Sequence, residues 1–304
     1  MIYTVTLNPS IDYIMHVDAF HEGDLNRAHT THSYAGGKGI NVSRVLKRLN
    51  VETTALGYVG GFTGEFIKNA LHKEGVRHSF VQIHEDTRIN VKLKSSTESE
   101  INGPGPSITE EQQQALLQQV EELSAGDYLV VAGSIPKAVD DKFYNQLASI
   151  CEANKIQFVA DTSGKALKDL IGTKTFLLKP NHHELGHLFE TAVNTKDDAI
   201  YYGRKLVEQG AQHVIVSMGG AGAILITEET TVIAEVPKGE VINSVGAGDS
   251  LVSGFIGGYV KTENPVEAFR HGVASGTATA FSSDLCEKDE VERLLAQVHI
   301  QEIN

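Results

Sequence analysis

Tyr128-Leu129-Val130-Val131-Ala132 is an unbroken apolar run, and Gly133-Ser134-Ile135-Pro136 follows it at once. A strand that is apolar at every position is buried on both faces, and helices are what cover both faces of a parallel sheet. The same unit recurs on either side. A helical stretch at 109–123 precedes the run. Helix 140–153 leads into strand 156–160, helix 164–171 into strand 175–178, and helices 182–190 and 196–209 into strand 213–216. Strands and helices in strict alternation predict an α/β protein with a mostly parallel sheet between two helical layers. A late hairpin is expected from 222–227 and 231–236, with two or three helices to finish the chain.

The N-terminal third is less regular. Segments 2–7, 12–17, 28–34 and 55–59 have strand character. Gly36-Gly37-Lys38-Gly39 breaks the pattern and opens a helix with Val42, Val45, Leu46 and Leu49 on one face. After a helix at 65–73, segments 80–83 and 88–94 again look like strands. In the second, Ile89, Val91 and Leu93 alternate with Asn90, Lys92 and Lys94. That alternation predicts a sheet with one wet face. The expectation is one α/β/α domain over 1–304. A small, mostly antiparallel sheet, built from roughly 12–34 and 80–100, is interleaved with it as a lid. No Pro/Gly/Ser linker divides the chain.

Composition narrows the function. The 304 residues are 41% apolar and 21% charged, with 26 − 39 = −13 net charge. A nucleic acid or an anionic membrane needs a basic surface, so neither is an expected partner. An anionic substrate needs only a few local cations and stays open. Cys151 and Cys286 have no metal-like spacing, and with no secretory signal they read as reduced thiols in a cytoplasmic protein. No apolar stretch reaches membrane-spanning length. His183 and His187 share a helix face, but no H-E-x-x-H pattern accompanies them, and an ordinary helix surface is the better reading.

Two segments carry chemistry. In Asn243-Ser244-Val245-Gly246-Ala247-Gly248-Asp249 the small residues precede a helix. Backbone N–H groups of Gly246, Ala247 and Gly248 at such a turn make an anion site. Asp249 falls in the first helical turn, where the dipole favours a carboxylate that could take a proton from a hydroxyl. A plain helix cap explains the tetrapeptide equally well. In Ala35-Gly36-Gly37-Lys38-Gly39-Ile40-Asn41, the glycines (Gly37 among them) admit close backbone approach; Lys38 supplies charge and Asn41 both donors and acceptors. No G-x-x-x-x-G-K-[ST] pattern occurs, so a P-loop enzyme is not expected. Gly219-Gly220-Ala221-Gly222 does not complete a dinucleotide fingerprint, which argues against a nicotinamide enzyme. Asn181 and Glu184, in Lys179-Pro180-Asn181-His182-His183-Glu184, have the spacing of a helix capping box.

Taken together, Gly37-Lys38-Gly39-Ile40-Asn41 and Val245-Gly246-Ala247-Gly248-Asp249 resemble the two signatures of the ribokinase, or PfkB, carbohydrate kinases. The likeness runs over essentially the whole chain. Thr6-Leu7-Asn8-Pro9-Ser10-Ile11-Asp12, Thr87-Arg88-Ile89-Asn90 and Asn102-Gly103-Pro104-Gly105-Pro106 are similar to the branch acting on sugar phosphates. The resemblance implies a ribokinase-like three-layer α/β/α fold with a β-sheet lid, and ATP and Mg2+ as cofactors. It implies phosphorylation of a ketohexose phosphate: fructose 1-phosphate first, with tagatose 6-phosphate or fructose 6-phosphate as alternatives. A non-catalytic sugar-phosphate sensor is the alternative of another class. Asp249 would be the base and Gly246, Ala247 and Gly248 the anion hole. Asp12 and Asn41 would hold sugar hydroxyls. Lys38, Arg88, Asn90 and Arg27 would face the substrate, with Lys92 on the same polar face and Ser134 nearby. Lys179, Asn181, Ser217, Gly219, Gly220, Ala221, Gly222 and Gly248 would meet the nucleotide, and the segments near Pro237 and 274–278 would flank adenine. Glu184 and Asn181 would organise magnesium through water. Asn243 and Ser244 stand where many members have an acidic residue and Thr, so a monovalent-cation site is not carried over. A homodimer through the lid is expected by analogy.

Overall fold

The computed structural model describes residues 1–140 and 142–303; Asp141, inside the expected helix 140–153, and Asn304 lie outside the described residues. In chain order the strands are β1 (Ile2–Thr6), β2 (Ser10–His16), β3 (Thr30–Gly36), β4 (Thr53–Gly60), β5 (Arg77–Ile83), β6 (Arg88–Lys94) and β7 (Glu98–Asn102). They continue as β8 (Tyr128–Ala132), β9 (Gln157–Asp161), β10 (Thr175–Leu178), β11 (Ala211–Ser217), β12 (Ala223–Ile226), β13 (Thr231–Glu235) and β14 (His299–Glu302). They form a ten-stranded sheet, β14-β13-β12-β11-β10-β9-β8-β1-β4-β5, and a four-stranded sheet, β3-β2-β6-β7. From β5 to β11 every pairing in the large sheet is parallel; β12, β13 and β14 extend it antiparallel.

The apolar runs split between two cores. Leu129 and Val131 join Phe158, Leu178, Val214 and Val216 under one helical layer. Val130 faces the other way with Val159, Leu177 and Ile215, beneath Val42, Val45, Phe255 and Phe269. That two-sided burial is why β8 shows no polar alternation. The strand order turns back at β1, which lies between β8 and β4. Loops diverge at such a point and leave a crevice at the carboxyl ends of the strands. Among the described residues no helix is long and apolar enough to cross a membrane.

Two features differ from the sequence reading, and a third sharpens it. Segment 80–83 belongs to β5, at the edge of the large sheet in parallel register with β4, and not to the small sheet. Helix Gly61–Lys73 between them supplies the crossover that a parallel pair requires. Strands β7 and β14 are mostly exposed edge strands with polar sequences, so no apolar run announced them. In β6 the polar face is the one turned to the cleft, as the substrate-facing role expected of Asn90 and Lys92 requires. Asn90 and Lys92 are buried at 8% and 7% exposure, whereas Ile89 on the opposite face is 41% exposed. The polar face of the small sheet turns inward over the crevice.

The junction between the sheets is pinned. Thr87 N–H donates to the Gly60 carbonyl, and Gly60 N–H donates to Thr87 Oγ1, each at 3.0 Å. Arg88 therefore leaves the large sheet at a fixed place, and β6 pairs with β2 so that Asn90 lies beside Asp12.

Candidate active site

Helix Ala247–Thr262 begins at Gly246, whose φ of 81° is a left-handed conformation that suits glycine and turns the chain sharply. No side chain caps this helix, so the N–H groups of its first turn keep their donor capacity for a ligand. Ala247 N–H is an exception to the expected anion hole: it bends back to the Ser244 carbonyl at 3.3 Å. Asp249 stands in that first turn at 5% exposure. Asn41, from helix Lys38–Arg48, donates through Nδ2 to Asp249 Oδ2 at 2.8 Å. Burial and the nearby Asp161 push the Asp249 carboxyl up to about 7, with Lys38, the Asn41 bond and Lys179 pulling the other way. A carboxyl poised near neutrality suits proton transfer.

Asp161, at the end of β9, is the neighbour that matters and the residue sequence reasoning missed. It has no exposure at all. Lys38 Nζ and Lys179 Nζ approach the same oxygen, Oδ1, at 3.2 and 3.3 Å. Burial opposes its ionisation, but Lys179 and Lys38 outweigh burial and hold the carboxyl below its usual range. The charge of Asp161 in turn raises the Lys38 ammonium. Its one sequence signal was position: an acidic residue at the carboxyl end of a parallel strand.

A cleft of about 730 Å³ opens over these groups. Asp12, Gly37, Lys38, Asn41, Arg88, Asn90 and Ser134 line it, together with Lys179, Asn181, Glu184, Ser217, Gly219, Gly246, Gly248 and Asp249. Asp12 Oδ1 accepts from Ser10 Oγ at 2.8 Å and from Asn90 Nδ2 at 3.2 Å. Gly36 leaves room for this carboxylate, since a Cβ there would lie 2.5 Å from Asp12 Cγ. Arg88 donates to the carbonyls of Asn8 and Gly103 at 3.1 and 3.4 Å. Asn181 and Glu184 form a reciprocal capping box and also line the cleft. Thr6, Asn8 and Ser10 line it as well, three residues to which no role was assigned from the motifs.

A second, more apolar cleft of about 760 Å³ adjoins the first, sharing Ser217, Gly219 and Gly248. Gly220, Ala221, Gly222 and Ala247 face it, with Val236, Pro237, Val273, Thr277 and Phe281 as apolar walls. Arg27 is the one expected residue found in neither cleft. It is exposed in the loop from β2 to β3. The loop springs from the His16–Thr30 end of the sheet, four residues along β2 from Asp12, or roughly 13 Å.

A polar cleft and an apolar cleft meet at a helix N-terminus, beside a buried carboxylate and two lysines, an arrangement suited to phosphoryl transfer on a fold that is ribokinase-like. The chain belongs to the PfkB family of carbohydrate kinases, whose model matches residues 5–291. It is 53% identical to the 1-phosphofructokinase of Bacillus subtilis, over 99% of both chains. It is 35% identical to a D-tagatose-1-phosphate kinase of Bacillus licheniformis, again over 99% of both. Among solved structures, the tetrameric inhibited form of phosphofructokinase-2 from Escherichia coli superimposes with a TM-score of 0.92 at 31% identity, covering 97% of this chain and 98% of that one. As a carbohydrate kinase, the chain takes ATP as its phosphoryl donor.

Proposed function

We propose that the chain transfers the γ-phosphoryl group of ATP to the free primary hydroxyl of fructose 1-phosphate, giving fructose 1,6-bisphosphate and ADP. The observation that carries this reading is the buried Asp249 in the polar cleft, next to Gly248, which both clefts share, in a chain 53% identical to a 1-phosphofructokinase. The sugar hydroxyl attacks the γ-phosphorus in line, its proton passes to Asp249, and ADP leaves. Asp12 and Asn41 hold sugar hydroxyls. Lys38, Lys179 and the backbone at Gly246 and Gly248 stabilise charge on the transferring group. Arg88 and Ser134 face the phosphate already on the sugar. The second cleft takes adenosine between Pro237 and the helix Pro265–Ala280.

Magnesium fits this donor set. Glu184 spends Oε2 on the Asn181 N–H at 2.8 Å and still lines the cleft, and carboxylate and phosphate oxygens are the ligands magnesium prefers. Glu184 and Asn181 would act on the ion through water, since magnesium commonly keeps several of its waters. When bound, magnesium neutralises charge on the phosphates.

The small sheet acts as a lid that excludes water, the competing acceptor. Its outer face exposes Ile89 and Ile101, at 41% and 65%. A second copy of this chain, lid to lid, is the cover we propose for that face. Sedimentation should show a dimer, and Ile101→Lys should shift it toward monomer; a wild-type monomer at micromolar concentration would remove the idea.

The substrate test is ADP release with fructose 1-phosphate, tagatose 1-phosphate, fructose 6-phosphate, tagatose 6-phosphate and ribose. Fructose 1-phosphate should give the highest kcat/KM. A preference for either 6-phosphate would place the existing phosphate at the other end of the sugar. Binding without turnover on every sugar phosphate would favour a sensor, against which Asp249 and its turn already argue.

A further inference from the structure

The part played by Asp161 rests on the reading of Asp249 as base. Asp161 is a fully buried carboxylate that touches two lysines from different parts of the fold. Lys38 comes from the first helix of the sugar side. Lys179 follows β10 on the nucleotide side, where its Nζ lies against Gly248, 3.3 Å from where a Cβ on that residue would stand. Both ammonium groups meet one oxygen, and the second oxygen, Oδ2, is buried with no hydrogen-bond partner. A structural ion pair in a closed core normally satisfies both oxygens, because an unmet acceptor is costly there. This geometry puts lysine placement ahead of its own satisfaction.

We propose that Asp161 is the positioning residue of phosphoryl transfer, one fixed negative charge that holds Lys38 and Lys179 toward the transferring group and leaves the exchange of the hydroxyl proton to Asp249. Two carboxylates in one buried site do not both ionise at equal cost, and the pair of lysines decides between them. Asp161 carries both lysine contacts and stays charged; Asp249, held by the neutral Asn41, is left to exchange the proton. The charged groups acting on Asp249 are Asp161 from β9, Lys38 from helix Lys38–Arg48, and Lys179 after β10. An arriving γ-phosphate brings negative charge to lysines that are already oriented, so little reorganisation accompanies the reaction.

The experiment is the pH profile of kcat/KM for fructose 1-phosphate in wild type, Asp161→Asn and Asp161→Glu. In wild type the acid limb should fall near pH 7, where Asp249 ionises. Asp161→Asn removes the charge that raises Asp249 and leaves two lysines uncompensated beside it. Both effects lower its proton affinity, so the limb should move down by about one unit. With the lysines misdirected, kcat should drop about 10²-fold. Asp161→Glu keeps the charge and shifts its position, so the limb should stay while kcat falls. This second variant carries the test if Asp161→Asn does not fold, and a moved limb in it would overturn the proposal. An unmoved limb in Asp161→Asn would overturn it too. So would an Asp161→Asn enzyme restored by raised magnesium, which would make Asp161 a metal ligand. Failure of the base assignment looks different: wild type would then show no acid limb near neutrality.

Discussion

Asp249→Asn should lose at least about 10²-fold in kcat on fructose 1-phosphate, the usual contribution of a general base, while becoming more resistant to unfolding at alkaline pH. The two effects come from one cause. Folding raises the Asp249 carboxyl from 3.8 to about 7, chiefly by burial and then by Asp161. A carboxyl raised in the folded state favours the native protein fully below its unfolded value, and that contribution is lost as pH rises through about 7. Above that pH the native protein must carry a buried carboxylate that the unfolded chain would carry in water. Asn has no such charge. The difference in melting temperature between variant and wild type should therefore be wider at about pH 8.5 than at about pH 4.5. Kinetics and melting check each other. Low activity with wild-type stability at both pH values would mean that Asp249 ionises freely and that its burial is not what tunes it. Undiminished turnover would end its assignment as base.

The large sheet could be read from the sequence because its strands are buried on both faces and its helices carry regular apolar stripes. Tyr128–Ala132 and Thr175–Leu178 coincide with β8 and β10 to the residue. The small sheet was harder, since its signal runs opposite to the usual rule. In β6 the polar positions Asn90 and Lys92 are the covered ones and Ile89 is the open one, because the face they share lines a crevice and not bulk water. Periodicity reveals that two faces differ and is silent on which of them looks at solvent. The site was legible where residues cluster in sequence, as in Gly246 to Asp249 and Gly37 to Asn41. Asp161 was not, because its meaning comes from Lys38 and Lys179, 123 residues away from it in one case, which only the fold brings to it. Arg27 is the opposite case: its charge suits a phosphate, and the His16–Thr30 pairing carries its loop to the end of the sheet away from Asp12.

The second large effect concerns the phosphate that the sugar brings with it. Arg88 is a half-buried guanidinium whose hydrogen bonds, to the carbonyls of Asn8 and Gly103, fix its plane without neutralising it. Its Nε is buried and has no partner, and among the described residues no carboxylate forms an ion pair with it. Burial works against its charge, with only Asp12 in support. A cation held this way gains most from an arriving dianion, and each charge-assisted hydrogen bond to it contributes about 1.5–3 kcal/mol. Two such bonds lost in Arg88→Ala should raise KM for fructose 1-phosphate roughly 10²-fold or more. KM for ATP should change little, because the nucleotide cleft lies on the other side of Gly248. Arg88→Lys should recover only part of the loss, since one ammonium cannot keep both carbonyls and still present a planar fork to phosphate. An equal rise in both KM values would mean that Arg88 holds the lid in place and does not bind the sugar phosphate. The two roles separate at the first titration with fructose 1-phosphate at saturating ATP, where a displaced lid lowers kcat and a lost phosphate contact does not.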